Sequence, residues 1–239
     1  AEFVHFTARP VNGVPAPHLH APCFAFNSTW DETERKWKAA KFRDLKADAP
    51  YFEAAFHARF ARQLAQVGYR VERTAKGWEL AGVPQRVLDE FSRRTEQIER
   101  KAAELGITSA KEKDGLGALT RERKAKHLSK PELRELWDRR ICAAERDALN
   151  GVRGLVPEVA RITEMKAMDF AVAHCYERAS VVTDKELLRS ALRYGVGDVD
   201  LEQVKRQLLR DEFVQEKAEG RHWFTTGEVL AEEKRLIEF

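Results

Sequence analysis

No apolar run in the sequence approaches the roughly 20 residues a membrane-spanning helix requires, so membrane insertion is not expected. The first residues lack the basic-then-apolar layout of a secretory signal, and nothing indicates export. Cysteine is scarce. Cys23, Cys142 and Cys175 are odd in number, far apart and form no CxxC pair, which fits reduced thiols in a cytoplasm better than a disulfide framework. There is no internal repeat and no low-complexity tract. A large excess of one charge is also missing: the net charge of +3 is too small to mark a nucleic-acid binder by itself.

What is present is 239 residues, 43% hydrophobic and 34% charged, enough for one large domain or two ordinary ones with a real core and many surface helices. Local charge says more than the total. The run "RERKAKH", Arg121 to His127, carries four cations against one carboxylate, and "FSRRTEQIERK", Phe91 to Lys101, is basic at both ends. A solvated helix face accounts for such runs as readily as a phosphate-binding one.

The first eighty residues read as mixed strand and helix. Cys23 to Thr29 has strand character, and "WDETERKWKA" supplies a polar turn and a second strand. In "PYFEAAFHARFARQLAQVGY", Phe52, Ala55, Phe56, Phe60, Leu64 and Val67 recur near helical spacing between Pro50 and the stop signal Gly68. "YRVER" and "GWEL" form another hairpin. Beyond Gly82 the pattern predicts long charged helices: one from about Pro84 to Leu105, a loop over 106–117, a helix from near Ala118, and a third capped by Ser129 and Glu132. "LNGVRGLVP", Leu149 to Pro157, is the linker candidate. After it come a helix through Met165, Met168 and Phe170, two short amphipathic helices capped by Thr183 and Asp200, and a hairpin, the order of a winged helix-turn-helix whose second helix presents Lys205, Arg206 and Arg210. The expected class is α+β: an antiparallel sheet with helices over 1–83, a basic helical extension over 84–150, and a mostly α, winged-helix-like domain over 151–239.

Three of the seven histidines fall in "VHFTARPVNGVPAPHLHAPCFAFN", Val4 to Asn27. On a strand, residues two apart project from one face, so His18 and His20 can converge on one ion, with His5 from a neighbouring strand. Neutral imidazoles suit Zn²⁺, Mn²⁺, Co²⁺ or Ni²⁺ and leave positions open for substrate oxygen. Ordinary histidines at a loop–strand junction are the alternative. A metal-dependent hydrolase is a further one, although the additional Asp, Glu or His motifs of such enzymes are missing.

"HFTAR", "PHLHAPCFAFNSTW" and "RKWKA", followed by "ARFARQLAQVGYRVER", "GWELAGVPQRVLDEFSRRTEQIE", "VVTDKELLRSALRYGVGDVDLEQV" and "FTTGEVLAEEKRLIEF", resemble the TraI/TrwC-type (MobF) conjugative relaxases over nearly the whole chain. The resemblance implies the later half of a relaxase domain, its helical extension, and the opening of a helicase-like region. It implies nicking and rejoining of single-stranded DNA at a transfer origin by metal-assisted tyrosine transesterification, with a divalent metal (Mg, Mn, Zn or Ni) as cofactor and other conjugation proteins as partners. Matched to the family motif, His5 and His20 are ligands. The family pattern places its last histidine where Pro22 stands, and His18 substitutes by geometry. The family nucleophile is a tyrosine upstream of the histidine motif. Tyr51, Tyr69, Tyr176 and Tyr194 do not match it, so no catalytic residue is expected in this chain and an upstream tyrosine-bearing segment is the expected partner. Arg93, Arg94, Arg121, Arg123, Lys124 and Lys126 are the expected clasp on the DNA backbone, joined by Lys205 and Arg206. The competing reading is a non-catalytic DNA-binding module with a decayed metal site.

Overall fold

A computed structural model describes residues 4–75, 77–123, 128–154 and 161–238. Lys124 and Lys126, and the part of the linker candidate from Leu155 onward, lie outside the described residues.

The chain opens on an antiparallel hairpin of β1 (His5–Thr7) and β2 (Pro17–His20), with His5 opposite His20. Within its connection, Val11 and Val14 bridge across Asn12 and Gly13, whose φ values of 55° and 78° make the tight turn that an Asn-Gly pair adopts with little steric cost. The strand expected from Cys23 to Thr29 begins only at Thr29: β3 (Thr29–Asp31) pairs with β4 (Lys36–Lys38), Trp30 opposite Trp37. The Asp31 carboxylate accepts the amides of Thr33 and Glu34, which fixes the turn immediately after β3 and leaves Phe24 and Phe26 outside any strand, exposed, with ring centroids 5.1 Å apart.

Helices α1 (Phe42–Ala47) and α2 (Ala49–Gln66) follow, Pro50 in the first turn of α2 and Gly68 at φ 94° beyond its end. The buried face of α2 is Ala54, Ala55, Ala58 and Ala61, whereas Phe52, Phe56 and Phe60 are exposed. The small residues allow close approach of neighbouring elements, so the phenylalanines are displaced from the core. Strands β5 (Val71–Thr74) and β6 (Gly77–Leu80) form the expected second hairpin.

The single long helix expected from Pro84 is two, α3 (Gln85–Phe91) and α4 (Arg93–Glu104), interrupted at Ser92 next to the point where the Glu90 carbonyl accepts from Arg140 at 3.1 Å. The segment expected as a loop is largely helical. In α5 (Ala110–Leu119) Ser109 caps the first turn, and Gly117 lies close against α4: a Cβ there would stand 3.3 Å from Ile98 Cδ1. Residues 121–123 are irregular, in place of the helix expected from Ala118. Helix α6 (Lys130–Asp138) opens with the Ser129–Glu132 capping box, and α7 (Ala143–Gly151) follows.

The remainder is α8 (Glu164–Tyr176), β7 (Val182–Thr183), α9 (Asp184–Tyr194), α10 (Leu201–Gln207), β8 (Phe213–Ala218), β9 (Arg221–Thr226) and α11 (Gly227–Ile237). Strands pair in the order β7-β9-β8. Thr183 and Asp200 cap α9 and α10, and the α8–β7–α9–α10–β8–β9 order is that of a winged helix. With its small antiparallel sheets among helices, the protein is α+β.

The chain forms two compact units: 1–26 with 82–151, and 27–81 with 152–239. The first segment of the sequence reading, 1–83, contributes to both. In the first unit Pro15, Val87, Ala102, Leu116 and Leu133 are buried. The second has the larger core, where Met168, Leu187, Leu192, Val199 and Val204 are almost inaccessible and the α2 alanines pack among them. Among the described residues no helix is long and apolar enough to cross a membrane.

Candidate functional site

The β1–β2 register sets the histidines together. His5 and His20, cross-strand partners, meet edge to face with ring centroids 5.0 Å apart and planes at 85°. His18, two residues before His20 on the same face, stacks on it at 4.5 Å and 21°. His20 Nδ1–H donates to the His18 carbonyl at 2.9 Å, which fixes the tautomer and leaves Nε2 as the nitrogen with a free lone pair. Burial, and then the neighbouring His20, pull the pKa of His18 below the usual histidine value and favour the neutral ring that a metal requires. Donor type and protonation state therefore suit a divalent ion. Ring orientation is less suited: stacked planes direct their in-plane lone pairs side by side. Among the described residues, no group of three His, Cys, Asp or Glu is arranged to hold an ion. Convergence requires the His18 ring to turn out of the stack.

The helical extension grips this hairpin at three points within the same compact unit. The Glu122 carboxylate accepts from the turn amides of Asn12 at 2.7 Å and Gly13 at 2.9 Å, while Arg9 Nη1 donates to the Glu122 carbonyl at 3.4 Å. Trp137 Nε1 on α6 donates to the Pro15 carbonyl at 2.8 Å. Lys130 Nζ lies 4.0 Å over the Phe6 ring. Glu122 and Trp137 are the residues that sequence reasoning missed; for Glu122 the signal was a lone carboxylate in a basic run.

The expected clasp residues are differently employed. Arg121 and Arg123 are exposed on either side of the anchored Glu122. Arg93 pairs with Glu90, which Arg140 Nε also engages at 2.7 Å, and these partners, Arg93 first, hold the Glu90 carboxyl below the usual range. Arg94 is half-buried and donates to Gln97 Oε1 at 2.6 Å and to the carbonyls of Gly117 and Thr120, the latter at 2.9 Å, closing the C-terminal end of α5. Lys205 meets Glu202 at 3.1 Å and Arg206 meets Gln203 at 3.3 Å on α10. Those two belong to the second compact unit and are not gathered with the histidines by the fold of the first.

A family model described as TrwC relaxase matches residues 1–144. Among solved structures, the metal-free conjugative relaxase TrwC in complex with OriT DNA is 26% identical at a TM-score of 0.52, covering 63% of this chain and 51% of that one. The metal-bound complex is 25% identical at 0.51, covering 64% and 51%. A copper-bound complex, 24% identical at 0.53 with 64% and 50% covered, shows likeness of fold alone. The chain thus spans about half the length of these solved relatives. No curated protein sequence matches it. With the model spanning more than half of the residues and including the histidine hairpin and its helical grip, the chain belongs to the TrwC relaxase family.

Proposed function

We propose that this chain supplies the metal-binding and strand-binding part of a conjugative relaxase that nicks and rejoins single-stranded DNA at a transfer origin. The observation that carries this is the anchoring of Glu122 to the Asn12–Gly13 turn, which ties a cationic segment to the hairpin on which His5 and His18 both meet the His20 ring. A strand clasp and a phosphate-polarising centre must be neighbours for one to serve the other. The solved TrwC complexes with OriT DNA support the choice of ligand.

In the family reaction a tyrosine hydroxyl oxygen attacks the scissile phosphorus. The P–O3′ bond breaks, the 3′-oxygen leaves with the proton, and the 5′-phosphate remains on the tyrosine. His5 and His20, with His18 once turned out of the stack, would hold a divalent ion, which when bound would supply charge withdrawal from that phosphate. The remaining tasks belong to the chain itself: the His18 carbonyl orients His20, and Arg121 and Arg123, with Lys124 and Lys126, neutralise the strand beside the nick. All four tyrosines of this chain fall in the second compact unit. Tyr176 is poorly suited to attack: its hydroxyl is buried without a hydrogen-bond partner, and burial, followed by Cys175 and Glu212, pushes its pKa up. The nucleophile in this reading comes from a tyrosine-bearing segment upstream in the family's order. A second reading, a DNA-holding module without metal chemistry, is favoured by the stacking of His18 on His20 and by Pro22 at the family's ligand position.

Fluorescence anisotropy with a transfer-origin oligonucleotide tests the strand clasp. Arg121→Ala with Arg123→Ala should flatten the slope of log affinity against log salt by about 1.4, two single-strand phosphate contacts at ~0.7 each, and do so equally for unrelated sequences. An unchanged slope, or weakening confined to one sequence, counts against it. For the chemistry, denaturing electrophoresis after incubation with the oligonucleotide and Mn²⁺ should show a covalent protein–DNA adduct when the chain is joined to the tyrosine-bearing segment, and none for residues 1–239 alone. Absence of the adduct from the joined form, with DNA and metal still bound, selects the second reading.

A further inference from the structure

The second compact unit contains an open cleft of about 720 Å³ between α2, the β5–β6 hairpin and helices α8 and α9, sharing no residue with the histidine hairpin. Its floor is a ladder of flat groups. The Arg73 guanidinium lies 4.3 Å over the Tyr194 ring, Tyr194 stacks on Phe170 at 4.1 Å and 12°, and Phe170 stacks on His174 at 5.7 Å and 11°. Arg73 Nη1 is further held by the Tyr194 carbonyl at 2.6 Å. Trp78, the cross-strand partner of Arg73, donates Nε1–H to His57 Nδ1 at 3.1 Å, which sets the indole in place. Arg189 and Arg193, one turn apart on α9, add two cations; Glu53 and Glu79 are the carboxylates of the lining.

Tyr194 is half-buried against the core, but the rest of the stack is open: Phe170 is 40% exposed, the His174 side chain 58% exposed, and Arg73 is exposed. Its two ends are planar, polar groups with a face each, the kind of platform on which a nucleobase stacks without regard to sequence, and the cations nearby suit the phosphates on either side of that base. An acidic peptide would find the cations but leave the stacking faces unused. Duplex DNA would find the cations while its bases stayed inside the helix. The helix that reads the major groove in winged-helix proteins is a poor substitute here: α10 has seven residues, Lys205 and Arg206 are engaged within it, and Arg210 beyond it meets Asp169 at 2.7 Å and Glu212 at 3.1 Å.

We infer that this cleft is a second single-stranded DNA site, taking an unstacked nucleotide against the Arg73–Tyr194–Phe170–His174 ladder and Trp78, with the flanking phosphates on Arg189 and Arg193. It goes beyond the reading of the histidine unit and does not depend on metal or on cleavage. The test uses the whole chain and an oligothymidine carrying 5-iodouracil. Irradiation should give adducts that map to residues 71–80 or 161–196, and Arg73→Ala with Arg193→Ala should lower their yield and the affinity of this site about tenfold, the scale of one lost stacking contact. Arg121→Ala with Arg123→Ala should leave these adducts in place, which separates failure of this site from failure of the clasp. Both substituted side chains are exposed, and an unchanged melting temperature verifies folding. Adducts confined to 1–26 and 82–151, insensitivity to the double substitution, or equal binding of duplex overturns the inference. Thymidine monophosphate competing as well per nucleotide as the oligomer also overturns it, assigning the cleft to a free mononucleotide.

Discussion

Replacing His20 with alanine is expected to weaken divalent-metal binding by more than about 100-fold, because loss of an outer-shell partner alone costs up to that much and His20 is placed as a ligand itself. It is the central ring of the three, 5.0 Å from His5 and 4.5 Å from His18, and the one whose tautomer is fixed. His18→Ala should cost less, since that ring must first leave the stack. Pro22→His, which restores the family's histidine at that position, should raise affinity. Protons compete for the same lone pairs, so binding should fall as pH drops through the histidine range near about 6.5. The depressed pKa of His18 keeps that ring available at lower pH than an ordinary histidine. Titration calorimetry with Mn²⁺, Ni²⁺ and Zn²⁺ on both variants and the parent measures this. Equal affinity of the parent and His20→Ala removes the hairpin from consideration as a metal centre.

How much of this was legible in the sequence depended on how local each signal was. The HxH alternation on a strand, the Ser129–Glu132 capping box, the caps at Thr183 and Asp200 and the Gly68 stop are contained in a few residues each, and each formed as its chemistry dictates. Helix α5 was hidden by Gly115 and Gly117, which read as loop residues, although a Cβ at Gly117 would stand only 3.3 Å from Ile98 Cδ1 of α4. The role of Arg94 was hidden with it, because two of the carbonyls it binds, Gly117 and Thr120, belong to the end of that helix. An exposed-looking basic residue can equally be a helix-closing one, and spacing does not tell them apart. On α2 the alanines rather than the phenylalanines face the core, a choice made by the closeness of its neighbours. The aromatic cleft draws on α2, β5–β6, α8 and α9, segments up to 143 positions apart (Glu53 to Val196), so no window of sequence contains it. Nor does one contain the interleaving by which 1–26 joins 82–151.

That interleaving makes the largest stability effect unevenly distributed. Met168 on α8 is fully buried in the second unit, among Leu187, Leu192, Val199 and Val204, and its truncation to alanine removes a long side chain from a core that has little freedom to collapse. Gly195, where a Cβ would approach Val199 Cγ1 to 2.4 Å, lets the α9–α10 turn fold tightly enough to set Val199 into this core. Met168→Ala is therefore expected to destabilise this unit by about 2–5 kcal/mol, the usual range for a buried Met-to-Ala change, and to lower its urea midpoint accordingly. The first unit has its own buried residues, Val87, Ala102, Leu116 and Leu133, and its hairpin is held by Glu122 and Trp137 of the same unit. Hydrogen exchange read by peptide should show protection falling across α2, α8, α9 and α10 while α4, α5 and α6 keep theirs. Metal binding at the histidines should survive under conditions where the aromatic cleft no longer binds oligothymidine. Equal loss of protection in both sets of peptides would mean that the two units unfold as one cooperative block, and that the cleft and the histidine hairpin share a single stability.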